Sequence, residues 1–357
     1  GSSNSYAGIT DATTLNFTTV IGGDPTLKKD VIGSIEAWSD ISSRWADSSI
    51  ESAFNRLDWL SRHQGSNQTS HQGIKLSFVD TIINLIMNNS PSTALTDIDI
   101  VDTGASLIEN SDGSVAEVSD NIESEASNIA INEAARLREG VIGSLNPSFE
   151  PLIDNWSIWT EGKIVIGKTD ASSTASKKEI DVQAITLGFD KPVGSDELMG
   201  FVLSIGQDDT DIGTASTSVK SKNYSLSNYN AFKSANSNTK VESVFGVGRL
   251  DFDTVRSDGS DTLTGTRKAN QIFFSTVLRP QDNINIGNWL ISPYSKLSLA
   301  NTSLNSFSES GASTALTFNK QEIRDTSVGI GIDINSDITT DNSTIKPFTK
   351  IEYNQSS

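Results

Sequence analysis

The period of the apolar residues changes at Pro151, and this change restricts the fold more than any other feature of the sequence. Beyond it, large apolar side chains recur at every second position. In residues 328–335 the apolar positions are Val328, Ile330, Ile332 and Ile334, and the intervening ones are Gly, Gly, Asp and Asn. Phe201 and Leu203 show the same pattern in residues 199–207. A period of two predicts β-strands with one apolar face and one small, polar face.

Two architectures contain strands with this alternation of apolar and polar side chains, a soluble β-sandwich and a membrane β-barrel. The polar face of a sandwich meets water and carries long charged side chains that keep its edges from pairing. Here that face is mostly Gly, Ser, Thr, Ala and Asn. Small residues suit the crowded interior of a barrel whose apolar face is turned to lipid. We therefore expect a mainly β, antiparallel up-and-down barrel, with a soluble extracellular β-sandwich binding module as the alternative.

Nine strand candidates follow one another, with turn-rich links between them. They are residues 156–168, 182–190, 198–207, 219–232, 241–255, 268–278, 290–301, 324–335 and 347–353. Short links at 190–195 and 279–283 alternate with longer Ser-rich links at 169–180 and 301–314, as on the two sides of a membrane barrel. Because bacterial single-chain barrels close with an even number of strands, nine is either a miscount or a truncation, and we expect further strands beyond this sequence. Both edges of the sheet would then be unpaired.

The composition excludes several classes of site. The chain has no Cys, so it has neither disulfides nor thiolate metal ligands. Its net charge of −18 argues against nucleic acid, which needs a concentrated excess of Lys and Arg. His63 and His71 lie in a polar stretch and are interpreted as surface residues, and no Gly-x-Ser-x-Gly motif occurs. We predict no catalytic residue, no bound metal and no cofactor.

The first third of the chain has a helical period instead. Residues 31–60 carry apolar side chains every three or four positions, with an interruption at residues 47–49. We predict two helices there, or one kinked helix. Residues 78–87 give a third candidate, which residues 88–91 end. The pattern leaves open whether these helices pack beneath a barrel or outside it.

Residues 115–139 are helical in propensity but poor in large apolar residues. The positions assigned to a helix inside a barrel are Ala126, Ala130, Glu133, Ala134 and Glu139. Such a helix cannot bury itself in an apolar core, but it suits a narrow, wet lumen. We therefore predict a helical region at residues 1–114, a linker with the lumen helix at 115–150, and a barrel at 151–357.

Aromatic and basic residues in the strand candidates suggest two further roles. Trp156, Trp159 and Trp289 lie near strand ends and are interpreted as part of an aromatic girdle at a membrane interface. Six basic residues are predicted to point into the lumen, toward Glu133 or Glu139. They are Lys163, Lys168, Arg249, Arg267, Lys296 and Arg324. We therefore expect ion pairs between the strands and the lumen helix.

Three segments of the strand region resemble the C-terminal β-domain of autotransporters, the type V secretion proteins. They are NWSIWTEG at residues 155–162, ITLGFD at 185–190 and GFVLSIG at 200–206, the last followed by Asp208 and Asp209. The resemblance extends from about Asn155 to the end of the chain. It implies an outer-membrane barrel of about 12 strands, of which about nine are present, with a helix through its lumen. The sequence departs from the family in ending short and in lacking the terminal aromatic residue that assembly machinery reads.

The resemblance implies a non-enzymatic, monomeric barrel in the bacterial outer membrane that exports its own N-terminal passenger and displays it at the cell surface. The implied partners are outer-membrane lipid, the barrel-assembly machinery and the passenger segment. A passive porin-like or adhesive barrel remains an alternative, which would have an open, conducting lumen. The soluble β-sandwich module would stay in solution without detergent.

Overall fold

One long helix and one large, mainly antiparallel sheet make up most of the described residues in this computed structural model. The structure describes residues 3–4, 15–19, 28–62, 72–79, 156–194, 197–234, 237–259, 261–339 and 344–356. The predicted helix at 115–139 lies outside these residues, as do His63, His71 and most of the predicted helix at 78–87. The first two residues of that last candidate, Phe78 and Val79, belong to a strand.

Helix α1 spans Lys29–Arg62 without a break. The sequence pattern left a choice between two helices and one kinked helix, because the apolar stripe is interrupted near residue 47. The serines in this region do not end the helix, since the Ser49 hydroxyl donates to the Trp45 carbonyl at 3.0 Å and Ser42 donates to Trp38 at 2.7 Å. Asp30 in the first turn and Arg62 in the last complement the helix dipole.

The strands confirm the predicted β architecture. In chain order they are β1 (Ser3–Asn4), β2 (Leu15–Thr19), β3 (Gln72–Val79), β4 (Ser157–Thr169), β5 (Lys178–Pro192), β6 (Glu197–Ile212), β7 (Thr217–Lys233), β8 (Thr239–Asp258), β9 (Asp261–Pro280), β10 (Ile284–Ile286), β11 (Trp289–Leu304), β12 (Phe307–Ser308), β13 (Leu316–Phe318), β14 (Gln321–Ser336), β15 (Ile338–Thr339), β16 (Thr344–Ile345) and β17 (Phe348–Ser356). The nine predicted strands correspond to β4 through β9, β11, β14 and β17. They are the nine long antiparallel strands of the described residues.

The main sheet has the order β17-β14-β11-β9-β8-β7-β6-β5-β4-β3. From β4 onward it is the predicted up-and-down meander. The expectation of two unpaired edges is wrong at β4, because β3 pairs with it in parallel, with Gln72 opposite Thr160. Chain geometry explains the direction of β3. Lys346, in the link before β17, donates to the Arg62 carbonyl at 2.8 Å, so α1 ends where β4 and β17 begin and β3 starts from that same end.

The sheet curves around α1. Side chains of α1 bond to residues on β4, β6 and β17, through Glu51 with Lys163, Arg44 with Asp208, and Asp58 with Lys350. Nine strands spaced about 4.8 Å apart span about 38 Å, whereas a helix with its side chains is only about 10–12 Å across. A flat sheet therefore cannot bring both of its ends to one helix. Within the described residues, no helix has the length and hydropathy of a membrane-spanning helix.

The two faces of the sheet differ as the alternation predicts. Large apolar side chains are exposed on the outer face: Phe201, Leu203, Ile205, Leu226, Phe245, Val247, Ile272, Phe274, Leu278, Val328, Ile330 and Ile351. Val328 and Ile330 are 56% and 63% exposed, Ile332 and Ile334 continue their row half-buried, and Gly329 between them is buried. The described residues place no second sheet against this face, so the β-sandwich alternative is wrong for this part of the chain.

Candidate functional site

The inner face of the sheet, with α1 seated against it, is the candidate functional site. Burial extends around most of the helix and includes Trp38, Trp45 and Phe54 as well as Ser42, Ser49 and Ser52. The small residues let the sheet approach the helix closely. Ser49 and Ser225, on β7, bring their hydroxyl oxygens to 2.8 Å.

An aromatic cluster holds the N-terminal half of α1. Trp38 makes edge contacts with Phe307 and Phe318, at ring-centroid distances of 5.4 Å and 5.0 Å, and these two rings stack on each other at 4.9 Å. The Arg267 guanidinium lies over the Trp38 ring at 4.8 Å. Phe307 and Phe318 belong to β12 and β13, in the link between β11 and β14. This link therefore folds over the N-terminal half of the helix.

The same link is fixed to the sheet and to the chain that precedes α1. Arg256 binds Glu309 through two bonds of 2.9 Å and 2.6 Å, and both side chains are buried. Strand β2 pairs antiparallel with β13, with Thr18 opposite Thr317. The chain before α1 thus runs along the β12–β13 link at this end of the sheet.

A group of buried charges holds the C-terminal half of α1, and its centre is the pair of Arg56 and Asp190. Their side chains are 0% and 2% exposed, and Arg56 donates to both carboxylate oxygens of Asp190, at 2.6 Å and 3.0 Å. The Tyr229 hydroxyl donates to the same carboxylate at 2.6 Å and accepts from the Trp159 indole at 2.9 Å. A bidentate pair with a third donor is the arrangement that compensates best for loss of water.

Asp58 makes the second half of this charge cluster on another side of the helix. Its carboxylate binds Arg279 on β9 at 3.0 Å and Lys350 on β17 at 3.1 Å. Arg279 also binds Glu242 at 2.9 Å and Asp333 at 2.7 Å. We use the name charge cluster for Arg56, Asp58, Asp190, Glu242, Arg279, Asp333 and Lys350. It joins α1 to strands β5, β8, β9, β14 and β17.

Aromatic side chains on the inner face lie over glycines of the neighbouring strand. The directly opposed pairs are Trp159 with Gly188, Tyr229 with Gly200, Phe273 with Gly246 and Tyr294 with Gly331. A Cβ atom at any of these glycines would lie 2.0–2.4 Å from the ring. The small residues that the sequence shows on this face therefore make room for rings of the sheet itself, in addition to the helix.

The predictions of a lumen helix and of an aromatic girdle can be compared with this site. The lumen positions Ala126, Ala130, Glu133, Ala134 and Glu139 lie outside the described residues, and their assignment stays a prediction. The helix that the structure places on the inner face is α1, which the sequence had left without a position. Trp159 is 1% exposed, so its assignment to an outer aromatic girdle is wrong. Trp156 directly precedes β4 and lies on the outer face, where its ring contacts that of Phe201 at a centroid distance of 6.1 Å.

The six basic residues that the sequence predicted to point into the lumen lie on two different faces of the sheet. Lys163, Arg267 and Lys296 point inward, where Lys163 binds Glu51 of α1 and Lys296 binds Glu352. The prediction is wrong for the other three, because alternation turns them to the outer face. They are Lys168, Arg249 and Arg324, whose side chains are all more than half exposed.

Sequence reasoning missed the charge cluster. Asp190 was placed at the boundary between the strand candidate 182–190 and the link 190–195, and Arg279 was placed in the link 279–283, whereas both lie within strands and point inward. A signal was present, because the alternation continues through both residues on the small, polar face. Each charge is isolated on that face, and a buried isolated charge requires a partner.

A single sheet wrapped around a helix, apolar outside and ion-paired inside, is the architecture of a β-barrel membrane protein with an occupied lumen. The chain matches the Autotransporter beta-domain family over residues 158–356, which is more than half of it. It therefore belongs to this family, and it is an outer-membrane β-barrel of the autotransporter secretion system.

Solved structures with a similar shape include two members of this family. The translocator domain of autotransporter NalP from Neisseria meningitidis is 14% identical, with a TM-score of 0.47, and the match covers 64% of this chain and 78% of that one. The beta domain of the Bordetella autotransporter BrkA is 16% identical, with a TM-score of 0.44, and the match covers 57% and 78%. No curated protein matches the chain.

Proposed function

We propose that this barrel exports the segment that precedes α1 across the outer membrane and then anchors it at the cell surface. One observation carries the proposal: α1 runs along the inner face from one end of the sheet to the other. At its N-terminal end, Lys28 binds Asp258 at the end of β8, at 2.8 Å. At its C-terminal end, Lys346 binds the Arg62 carbonyl. The chain before α1 therefore leaves the lumen at the end opposite to the start of β4.

The length of α1 fits such a path. A helix of 34 residues is about 51 Å long at about 1.5 Å per residue, which exceeds the roughly 30 Å hydrocarbon layer of a bilayer. The exposed apolar residues of the outer face would lie in outer-membrane lipid, and the charge cluster would keep α1 in place inside. The barrel would act as a monomer, inserted by the barrel-assembly machinery. A passive porin-like barrel is disfavoured, because α1 occupies the space that its conducting lumen would need.

Display of the N-terminal segment on intact cells tests the proposal. The full chain, preceded by a secretion leader and an epitope tag before Gly1, is produced in a Gram-negative host. We expect antibody to bind the tag on intact cells, together with a membrane-fraction band whose gel migration changes on boiling. As a matched control, the same tag inserted after Gly194, in the β5–β6 link at the opposite end, should bind antibody only after lysis.

A heat-modifiable band with an N-terminal tag that antibody reaches only after lysis would contradict export. A chain that partitions into buffer and shows no heat-modifiable band would contradict the membrane assignment as well.

A further inference from the structure

We infer that Arg56, Asp58 and Arg62 are positioning residues that stop the outward movement of α1 at one register and thereby end export. This inference rests on the proposed function. It starts from the order of charges along the last two turns of α1, which is positive, negative, positive. The sheet offers opposite charges to the first two, because Asp190 receives Arg56 while Arg279 and Lys350 receive Asp58.

A further outward step of one helical turn would oppose like charges. In that step α1 moves about 5.4 Å along its axis toward its N-terminus, and each site receives the residue four positions later. Leu60 would take the place of Arg56 and leave the buried Asp190 without its cation. Arg62 would take the place of Asp58 and face Arg279 and Lys350. A buried unpaired carboxylate is strongly unfavourable. A third cation in the place of the Asp58 carboxylate, which Arg279 and Lys350 now share, is also unfavourable, although Arg279 keeps its pairs with Glu242 and Asp333.

A step of one turn in the inward direction is opposed as well. Each site would then receive the residue four positions earlier, and Asp190 would lose its cation because Ser52 replaces Arg56. Asp40 would take the place of Arg44 and face the buried Asp208. The ion pairs therefore favour the observed register over both neighbouring ones. A helix that reaches this register in outward movement stops there.

Buried ion pairs are suited to this task because they are directional. Arg56 meets Asp190 through two parallel bonds, and Asp58 divides its two oxygens between two cations. Such geometry is lost with a displacement much smaller than a helical turn. The pairs also lie on different sides of the helix, so rotation about the axis cannot preserve both.

Disulfide trapping measures the register directly, since the chain contains no Cys of its own. Ser49 and Ser225 have their hydroxyl oxygens 2.8 Å apart, so cysteines at both positions should form a disulfide in the observed register. Cysteines at Ala53 and Ser225 report a register one turn further outward. In the otherwise unchanged full chain we expect the first pair to cross-link on oxidation and the second to remain free.

Two charge variants then test the stop. In Arg56→Asp the cross-link at Ser49 and Ser225 should fall by about tenfold or more, because two carboxylates would meet where an ion pair is buried. Exchanging the charges with Asp190→Arg in the same chain should restore it. Arg62→Glu removes the like-charge clash of the outward step, so the cross-link between positions 53 and 225 should increase severalfold.

Arg249→Gln provides the matched control. It removes an Arg–Asp pair of similar length, 3.1 Å to Asp251, but on the exposed outer face. We expect both cross-links to be unchanged. The heat-modifiable band is followed in every variant, so loss of folding is distinguished from a shifted register. If Arg56→Asp fails to fold, Arg62→Glu alone tests the inference. Arg62 is suited to this because its side chain lies at the end of the helix, over the Phe348 ring.

The inference is overturned if Arg56→Asp folds with an unchanged cross-link at position 49, or if the charge exchange fails to rescue it. It is also overturned if Arg62→Glu folds and leaves the pair at position 53 free. Antibody binding to the N-terminal tag is measured in the same cells. If the tag is displayed and the charge variants leave the register of α1 unchanged, the proposed stop is contradicted but export is not. If the tag is absent from the surface in the unchanged chain, export itself is contradicted.

Discussion

The two halves of α1 are held by different forces. The N-terminal half packs Trp38 into aromatic rings of the β12–β13 link, and the C-terminal half places Arg56 and Asp58 among buried charges of five strands. Apolar burial is large but non-directional, whereas an ion pair removed from water is stable only in one geometry. The comparison indicates that the aromatic half provides strong attachment of α1 to the sheet, and that the charged half sets the position of α1 along the inner face.

The largest effect should come from removing an anion of the charge cluster. Asp190→Ala leaves Arg56 buried without a carboxylate and removes the acceptor of the Tyr229 hydroxyl. We expect the free energy of unfolding in detergent to fall by about 3–5 kcal/mol, the cost of breaking a buried pair by removing one partner. Urea titration followed by tryptophan fluorescence measures it. A decrease below about 1 kcal/mol, the value of an exposed pair, would show that the cluster is solvated.

Removing the central ring of the aromatic half should cost somewhat less stability and should leave the register unchanged. Trp38→Ala deletes contacts with Phe307, Phe318 and Arg267. We expect a loss of about 3 kcal/mol, at the lower end for a buried aromatic, because the β12–β13 link is able to collapse into the space. The cross-link between cysteines at positions 49 and 225 should persist. Its loss in this variant would mean that the aromatic half also sets the position.

A smaller effect is expected from the glycine beneath Tyr229. A Cβ at Gly200 would lie 2.2 Å from the Tyr229 ring, so Gly200→Ala should push the ring and its hydroxyl away from Asp190. We expect a loss of about 1–3 kcal/mol, as for other overpacked sites. Thermal unfolding and the cross-link at position 49 are measured together. An unchanged melting temperature would contradict the close approach of these two strands.

The strand region was predictable because its signal is local. Alternation sets the face of each side chain, and the nine long strands follow from it. The helix at residues 31–60 was also visible in its period. Its position was not, because the sequence argument required a lumen helix to lack large apolar residues. The structure accommodates Trp45 beside Gly206, on a strand far away in the sequence.

The charge cluster was hidden for a different reason. Pro192 and Gly194 follow Asp190, and Pro280 and Asn283 follow Arg279. Local turn propensity therefore placed Asp190 at the end of a strand and Arg279 in a link. Their partners on α1, β7, β8 and β14 lie tens to hundreds of positions away, and no local pattern pairs them. The strand faces were thus predictable, whereas the contacts that fix the helix required the three-dimensional arrangement.

The central claim is that the outer face meets lipid while the inner face encloses α1. Single cysteines at Ile330, on the outer apolar face, and at Asp261, at an exposed strand end, test it in membranes through their reaction with a water-soluble thiol reagent. We expect Asp261→Cys to react readily, and Ile330→Cys to resist this reagent and to react with a lipid-soluble one. Equal reaction of both positions with the water-soluble reagent would contradict the account.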